Sequence, residues 1–130
     1  MALMKFREAN QVKWIGVRPG HNGTQIFGYA LATNAVATCY FAPAGKAGYI
    51  YGLDLAASSG ANLGLASLQI WDAVPAFVSQ LILIDLPATS FASKVCSYFY
   101  PIELPTGWRI RVMSDALLLN ARGTVIGWEE

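Results

Sequence analysis

Beyond residue 24 the chain consists of short runs of β-branched and aromatic residues, separated by clusters of Gly, Pro, Ser and Asn. Within most runs the residue types alternate with a period of two, which places neighbouring side chains on opposite faces of a strand. Counting the runs predicts seven to eight strands and no helix. That number is typical of a sandwich of two antiparallel sheets, so the sequence predicts an all-β fold.

The clearest predicted strands can be bounded by the turn residues that flank them. The run 77–86 is assigned as a strand because Pro75 and Pro87 leave too little room between them for a typical helix, and because Ile82 and Ile84 favour the pleat. In the run 48–57 strict alternation predicts one face made of Tyr49, Tyr51, Leu53 and Leu55. The runs are 36–42, 48–57, 65–72, 77–86, 91–104, 108–114 and 120–128.

The first 24 residues do not follow this pattern. Residues 18–23 are dense in turn formers, and residues 1–17 are predicted to be an N-terminal arm that is either frayed or docked on a neighbour. We therefore expect an arm over residues 1–24 and a β-sandwich domain over residues 25–130. Lys5, Arg7 and Glu8 interrupt the start of the chain, so no signal peptide is expected.

Charge is scarce and balanced. Charged residues make up 13% of the chain, about half the usual share, and nine Lys and Arg against eight Asp and Glu give a net charge of +1. This composition excludes a disordered acidic or basic tail and argues against binding of nucleic acid through phosphate contacts. The longest uncharged stretch, 19–45, contains too many polar residues for a membrane span. The surface is thus predicted to be neutral or covered by other subunits.

No catalytic or metal-binding pattern is present. His21 is the sole histidine and lies among turn residues, and the two cysteines, Cys39 and Cys96, are predicted to be reduced thiols. Asp115 follows a strand that carries Arg109 and Arg111, which favours an ion pair as its role. A pair of the four aspartates 54, 72, 85 and 115 acting on a glycosidic bond is the remaining catalytic alternative. We expect a protein that is not an enzyme and that has no cofactor and no metal.

Interfaces between subunits are enriched in Tyr, Trp and Arg. The candidate interface residues are Tyr49 and Tyr51 in one predicted strand, Arg109 and Arg111 on the polar side of another, and Trp128 near the end of the chain. Each of these side chains also has an ordinary explanation in core packing or in a solvated face.

Four segments form a recognisable set of turns: FAPAGK at 41–46, the break at Leu86-Pro87, ELPTGW at 103–108 and the final GTVIGWEE at 123–130. These turns resemble those of small jelly-roll-like virion proteins of tailed bacteriophages, which decorate or cement the capsid. The resemblance covers residues 40–130. It implies a jelly-roll-like sandwich, a homotrimer, and a major capsid protein or another virion protein as partner. It also implies a place in the virion, after assembly in the host cytoplasm.

Two other functions fit the same fold class. One is a receptor-binding or carbohydrate-binding jelly roll of a phage tail or head appendage, with Trp71 or Trp108 as a platform for sugar rings. The other is a cupin-type enzyme, which the single histidine disfavours because cupin metal sites use several.

Overall fold

The computed structural model describes residues 23–130, so His21 and most of the predicted N-terminal arm lie outside the described part. The described residues form eight strands and no helix. The strands are β1 (Thr24–Thr33), β2 (Ala35–Phe41), β3 (Gly48–Ser58), β4 (Gly64–Trp71), β5 (Phe77–Leu86), β6 (Phe91–Leu104), β7 (Arg109–Ser114) and β8 (Asn120–Glu129). The all-β prediction is confirmed. Residues 23–130 accordingly contain no helix that is long and apolar enough to cross a membrane.

The strands form two four-stranded antiparallel sheets, in the order β1-β8-β3-β6 and β2-β7-β4-β5. The first strand pairs with the last, the second with the seventh, the third with the sixth and the fourth with the fifth. This arrangement is that of a long hairpin wound into two Greek keys, which is the jelly roll. The expectation of a jelly-roll-like sandwich is therefore confirmed from strand order alone.

The core lies between the two sheets and is almost wholly aliphatic. Alternate residues are buried throughout β7 and along most of β3, as the period of two requires. Leu55 and Val125 of one sheet and Leu68, Ile110 and Val112 of the other are fully buried. Because the core takes one face of each sheet, the opposite face of each is left for contact with solvent or with a partner.

A β-bulge in β3 corrects the predicted face assignment of that strand. The register with β8 shifts between Ile50 and Gly52, so that Tyr51 is an extra residue in β3. One extra residue reverses the alternation. Ile50 therefore faces the core together with Leu53, while Tyr49 lies on the outer face. The prediction that Tyr49 and Leu53 share a face is wrong.

Two of the turns singled out in the sequence lie side by side at one end of the sandwich. Lys46 N donates to Pro43 O at 3.1 Å, and Trp108 N donates to Pro105 O at 3.0 Å. In each turn a glycine takes a positive φ, 77° at Gly45 and 85° at Gly107, which L-residues rarely adopt. Gly107 N also donates to Ala42 O at 2.8 Å, so the second turn is tied to the strand end before the first.

Candidate interaction surfaces

The five predicted interface residues fall on the two outer faces of the sandwich. Tyr49, Tyr51 and Trp128 lie together on the outer face of the β1-β8-β3-β6 sheet. Arg109 and Arg111 lie on the outer face of the β2-β7-β4-β5 sheet, because the alternate residues of β7 are buried in the core. The sandwich thus separates the predicted set into an aromatic group and a cationic group.

The outer face of the first sheet carries a group of exposed apolar side chains, here called the apolar face. Phe27 is paired directly with Ile126 across β1 and β8, and the next outward positions of β1 are Tyr29 and Leu31. Phe27, Leu31 and Tyr29 are 71%, 60% and 53% exposed. On the other edge strand, Val95 and Phe91 are also largely exposed. Contiguous apolar surface of this kind marks interaction sites on soluble proteins.

Few charges interrupt the apolar face. The outward positions of the two inner strands, at the level of these residues, are Gly52, Asp54 and Ala56 of β3 and Thr124 and Arg122 of β8. Asp54 and Arg122 are the charged members. The small residues of the two inner strands leave a shallow depression between the edge strands, in which a partner's side chains can pack.

Sequence reasoning missed β1 as a carrier of this surface. The segment TQIFGYALAT alternates Phe27, Tyr29 and Leu31 with smaller residues, so the signal was present. Alternation shows two faces but not which of them is the core. The core takes the side of Gly28 because the backbone of Cys39 lies only 2.3 Å from where a Cβ of that glycine would stand.

At one end of the same sheet, aromatic rings and carboxylates form a second feature, here called the acidic end. The rings of Tyr49 and Trp128 stack with centroids 5.0 Å apart, and Trp128 Nε1 donates to Glu130 Oε2 at 3.3 Å. Tyr49 is paired with Glu103 of β6. Partial burial, followed by the negative charges of Glu103 and Glu130, raises the pKa of Tyr49. Both carboxylates therefore act on the same phenol.

The outer face of the second sheet, here called the arginine face, stacks cations on aromatic rings. The Arg111 guanidinium lies 4.8 Å from the centre of the Trp71 ring, and that of Arg109 lies 4.9 Å from the centre of the Phe41 ring. Phe77 packs edge-on against Trp71 with centroids 6.2 Å apart. Cation–π contacts of this kind hold a guanidinium plane in a defined orientation.

Beneath this arrangement a short chain of hydrogen bonds runs along β4. Trp71 Nε1 donates to Gln69 Oε1 at 2.9 Å, and Gln69 Nε2 donates to Ser67 Oγ at 2.9 Å. Ser67 and Gln69 are buried although they point away from the core. The chain fixes the indole on which Arg111 rests. Sequence reasoning did not single out these two residues, because a Ser and a Gln in a strand predict an ordinary solvated face.

The two tryptophans proposed as a sugar platform are differently placed. Trp108 packs against the hydrophobic core, and the ring of Trp71 carries the Arg111 guanidinium. Both indoles are half-buried. Neither indole presents an open ring face on which a sugar could stack. These two tryptophans therefore give the glycan-binding alternative no specific support.

Within residues 23–130 Asp115 forms no ion pair, and the alternative of a pair between subunits stays a prediction. Asp115 Oδ1 instead accepts a hydrogen bond from Leu65 N at 2.7 Å, which ties the β7–β8 loop to β4. Asp72 likewise accepts from the backbone of Val74 and Ala76 in its own turn. Within residues 23–130 the ion pair found is that of Lys46 with Glu129, at 3.9 Å.

The thiols of Cys39 and Cys96 are both free, and they lie in different sheets. Burial raises the pKa of the Cys39 thiol to about 12, so this group is protonated over the whole range in which proteins are handled. In the described part of the chain no three His, Cys, Asp or Glu side chains come together as metal ligands would.

Comparison with known proteins gives likenesses of structure and none of sequence. No protein-family model and no curated protein matches the chain. A pentameric capsid protein isolated from metagenomic phage sequences is 11% identical with a TM-score of 0.40, over 78% of this chain and 61% of that one. The chain thus spans less than two thirds of that protein.

Two further structures are similar at the same level. The SPBc2 prophage-derived protein YomS is 9% identical with a TM-score of 0.38, over 78% of this chain and 96% of that one. A protein of the Bacillus endospore appendages, which form disulfide-linked pili, is 12% identical with a TM-score of 0.38, over 82% of this chain and 91% of that one. Similarity at this level identifies neither a family nor a function.

Proposed function

We propose that this chain is a structural protein of the virion of a tailed bacteriophage, which works by packing against copies of itself and against the capsid. Its role in this proposal is that of a capsid-decoration or cement protein, assembled as a homotrimer, with the major capsid protein or another virion protein as partner. The proposal assigns it no catalytic residue and no cofactor.

The observation that carries the proposal is the apolar face. Phe27, Tyr29 and Leu31 stand exposed on one strand, beside Ile126 of the next. Burying apolar surface contributes about 25 cal/mol per Å², so a large side chain moved from water into an interface contributes on the order of 1.5–3 kcal/mol. A surface with several such side chains favours association over the separate subunits.

The scarcity of charge supports the same conclusion. Interfaces are depleted in Lys, Glu and Asp, and only 13% of this chain is charged. The charges that are present leave most of the apolar face uninterrupted, since only Asp54 and Arg122 lie at its centre. A chain of this composition suits a protein whose faces are covered in an assembly.

The place in a virion is supported by the resemblance of the turns and by the fold. The turns at 43–46 and 105–108, on which the resemblance rests, form two adjacent glycine-containing turns at one end of a jelly roll. Jelly rolls occur in viral capsid proteins and also in lectins and cupins, so the fold allows the proposal without selecting it. Weak contacts repeated over a shell give tight binding overall, because each linked contact raises the effective concentration of the next.

Labelling of particles tests the virion role directly. An antibody raised against the recombinant chain would be applied to purified particles of the phage that encodes it and seen by immunogold electron microscopy. Regular label over the head supports a decoration role. Label at the tail tip alone would contradict the decoration role in favour of an appendage, and particles without label would contradict a place in the virion.

A further inference from the structure

The arginine face carries two cations that are not neutralised within the described part of the chain. Arg109 and Arg111 form no ion pair there, and the Nε atoms of both are buried without a hydrogen-bond partner. Arg109 Nη2 reaches one backbone carbonyl, that of Gly107, at 3.4 Å. The outward neighbours on the adjacent strands are uncharged: Thr38 and Gln69 beside Arg111, and Phe41 and Trp71 beside Arg109.

The contacts of these two guanidinium groups order both side chains before a partner binds. The Cζ atom of each lies over an aromatic ring, 4.9 Å from its centre for Arg109 and 4.8 Å for Arg111, and the Trp71 ring is itself fixed by its hydrogen bond to Gln69. Because Nε of each arginine is buried, the two Nη groups are the ones that can bind a carboxylate through two parallel hydrogen bonds. Because the side chains are already ordered, binding costs less conformational entropy.

The acidic end offers the matching groups. Glu103 and Glu130 are exposed, and neither forms an ion pair within residues 23–130. They flank the stacked pair of Tyr49 and Trp128, as the hydrogen bond from Trp128 to Glu130 and the effect of both carboxylates on Tyr49 show. Within residues 23–130, aromatic rings beside carboxylates that form no ion pair thus lie on one sheet, and aromatic rings beside guanidinium groups that form no ion pair lie on the other.

We infer that the arginine face binds the acidic end of a second copy of this chain, with Glu103 and Glu130 of one copy against Arg109 and Arg111 of the next. This inference rests on the self-association proposed above and specifies its geometry. The two surfaces belong to opposite sheets, so within residues 23–130 the arginine face and the acidic end of one copy do not meet. The contact joins two different surfaces and is repeated head to tail, and a rotation that closes it gives a ring such as a trimer.

The uncharged surroundings of both surfaces fit such a contact. The acidic end continues into the apolar face through Phe27 and Ile126. The arginine face carries exposed Phe41, Phe77 and Val36. Charge pairs surrounded by apolar side chains are shielded from water and salt, which makes their complementarity decisive for the choice of partner.

Charge reversal in the full chain tests the inference. Three proteins are compared with the wild type: R109E/R111E, E103R/E130R, and the variant with all four substitutions. Each reversed pair alone faces like charges across the contact, and we expect its association constant to fall roughly tenfold or more. The variant with all four substitutions restores opposite charges and is expected to associate again. In an equimolar mixture of the first two proteins, opposite charges meet wherever unlike copies touch, so mixed assemblies are expected, with one contact between like charges left in each closed trimer.

Sedimentation velocity gives the assembly state, and urea midpoints of unfolding show that each variant is folded. The neutral variant R109Q/R111Q serves where a reversal prevents folding, and it is expected to weaken association less than the reversal does. An oligomeric wild type whose assembly is unchanged by either reversal overturns this inference and leaves the proposed self-association standing. A wild type that is monomeric at every concentration contradicts the self-association itself.

Discussion

Trp128 stacks on Tyr49 across the β8–β3 pair, with ring centroids 5.0 Å apart and planes inclined by 18°. Both side chains lie on the outer face of their sheet, yet Trp128 is only 5% exposed. The bulge at Tyr51 brings a third ring to the same side, with its centroid 6.5 Å from that of Trp128. An irregularity of one residue in β3 thereby assembles the aromatic part of the acidic end.

The backbone beside this stack leaves no room for a side chain at Gly127. A Cβ there would stand 2.1 Å from the carbonyl oxygen of Tyr49, whereas a Cβ at Gly52 would meet Ile126 at an ordinary 3.5 Å. Gly127→Ala is therefore expected to destabilise the fold by about 1–3 kcal/mol, as overpacking against a fixed backbone does. Gly52→Ala, the matched control, is expected to change stability by no more than about 0.5 kcal/mol. Urea unfolding of both variants measures the difference, and equal midpoints would contradict the tight β3–β8 approach.

The hydroxyl of Tyr40 holds the end of β8 to the core. It donates to Glu129 Oε2 at 2.9 Å, and Glu129 also pairs with Lys46. Tyr40→Phe is expected to lower the free energy of unfolding by about 1–3 kcal/mol, because a hydrogen bond to a charged group is lost and, among residues 23–130, the carboxylate keeps only Lys46 at 3.9 Å. Tyr29→Phe removes an exposed hydroxyl and is the control. Equal losses in the two variants, measured by urea unfolding at pH 7, would refute this role.

Stability is expected to fall at high pH because of Cys39. Burial raises the pKa of this thiol from 9.0 to about 12, so between these values the unfolded chain loses the proton and the folded chain keeps it. The contribution is fully present below pH 9 and decreases as the pH rises toward 12. At pH 10 it has fallen by about 1 kcal/mol.

Cys39→Ala removes this titration, whatever its effect on absolute stability. The measurement is the free energy of unfolding at pH 8, 9 and 10 for the wild type and the variant, under reducing conditions. Burial of Tyr40 and its bond to Glu129 raise the pKa of that phenol, which adds a decrease of the same sign at higher pH. A wild-type slope between pH 8 and 10 equal to that of Cys39→Ala would rule out the buried thiol as its source.

Sequence pattern predicts most of this fold. The bounds of β5 and β6 agree with those of the structure, because proline or turn residues mark where each strand starts or stops. The face of β3 was predicted wrongly because a bulge depends on pairing with β8, and pairing leaves no trace in the spacing of residues along one strand.

For the candidate surfaces, the sequence predicts which residues take part but not which of them lie on the same face. The enrichment of Tyr, Trp and Arg at interfaces indicates residue types and not their positions, and Trp128 and Arg111 lie on opposite sheets. The pairing of Arg111 with Trp71 depends on β7 and β4 being neighbours, which follows from the strand order and not from sequence separation. The exposure of Leu31 depends in the same way on which face of β1 the core takes.

Polar substitutions on the apolar face are expected to affect assembly and not folding. Phe27 and Leu31 are 71% and 60% exposed in the single chain, so F27S/L31S is expected to change its stability by no more than about 1 kcal/mol. Association is expected to weaken at least roughly tenfold, because the free energy gained by moving two large apolar side chains from water into the interface is lost. The control L63S/L117S changes two equally exposed leucines in loops outside this face. Weakening of the same size in the control would remove the apolar face as the cause.

The mass of the full chain in solution tests the central claim most directly. Size-exclusion chromatography with light scattering, over a hundredfold range of protein concentration, compares the wild type with F27S/L31S. Self-association through the apolar face predicts a wild-type mass of three times 14.0 kDa and a shift toward a single 14.0 kDa subunit in the variant. A wild type that remains at 14.0 kDa at every concentration would contradict the account.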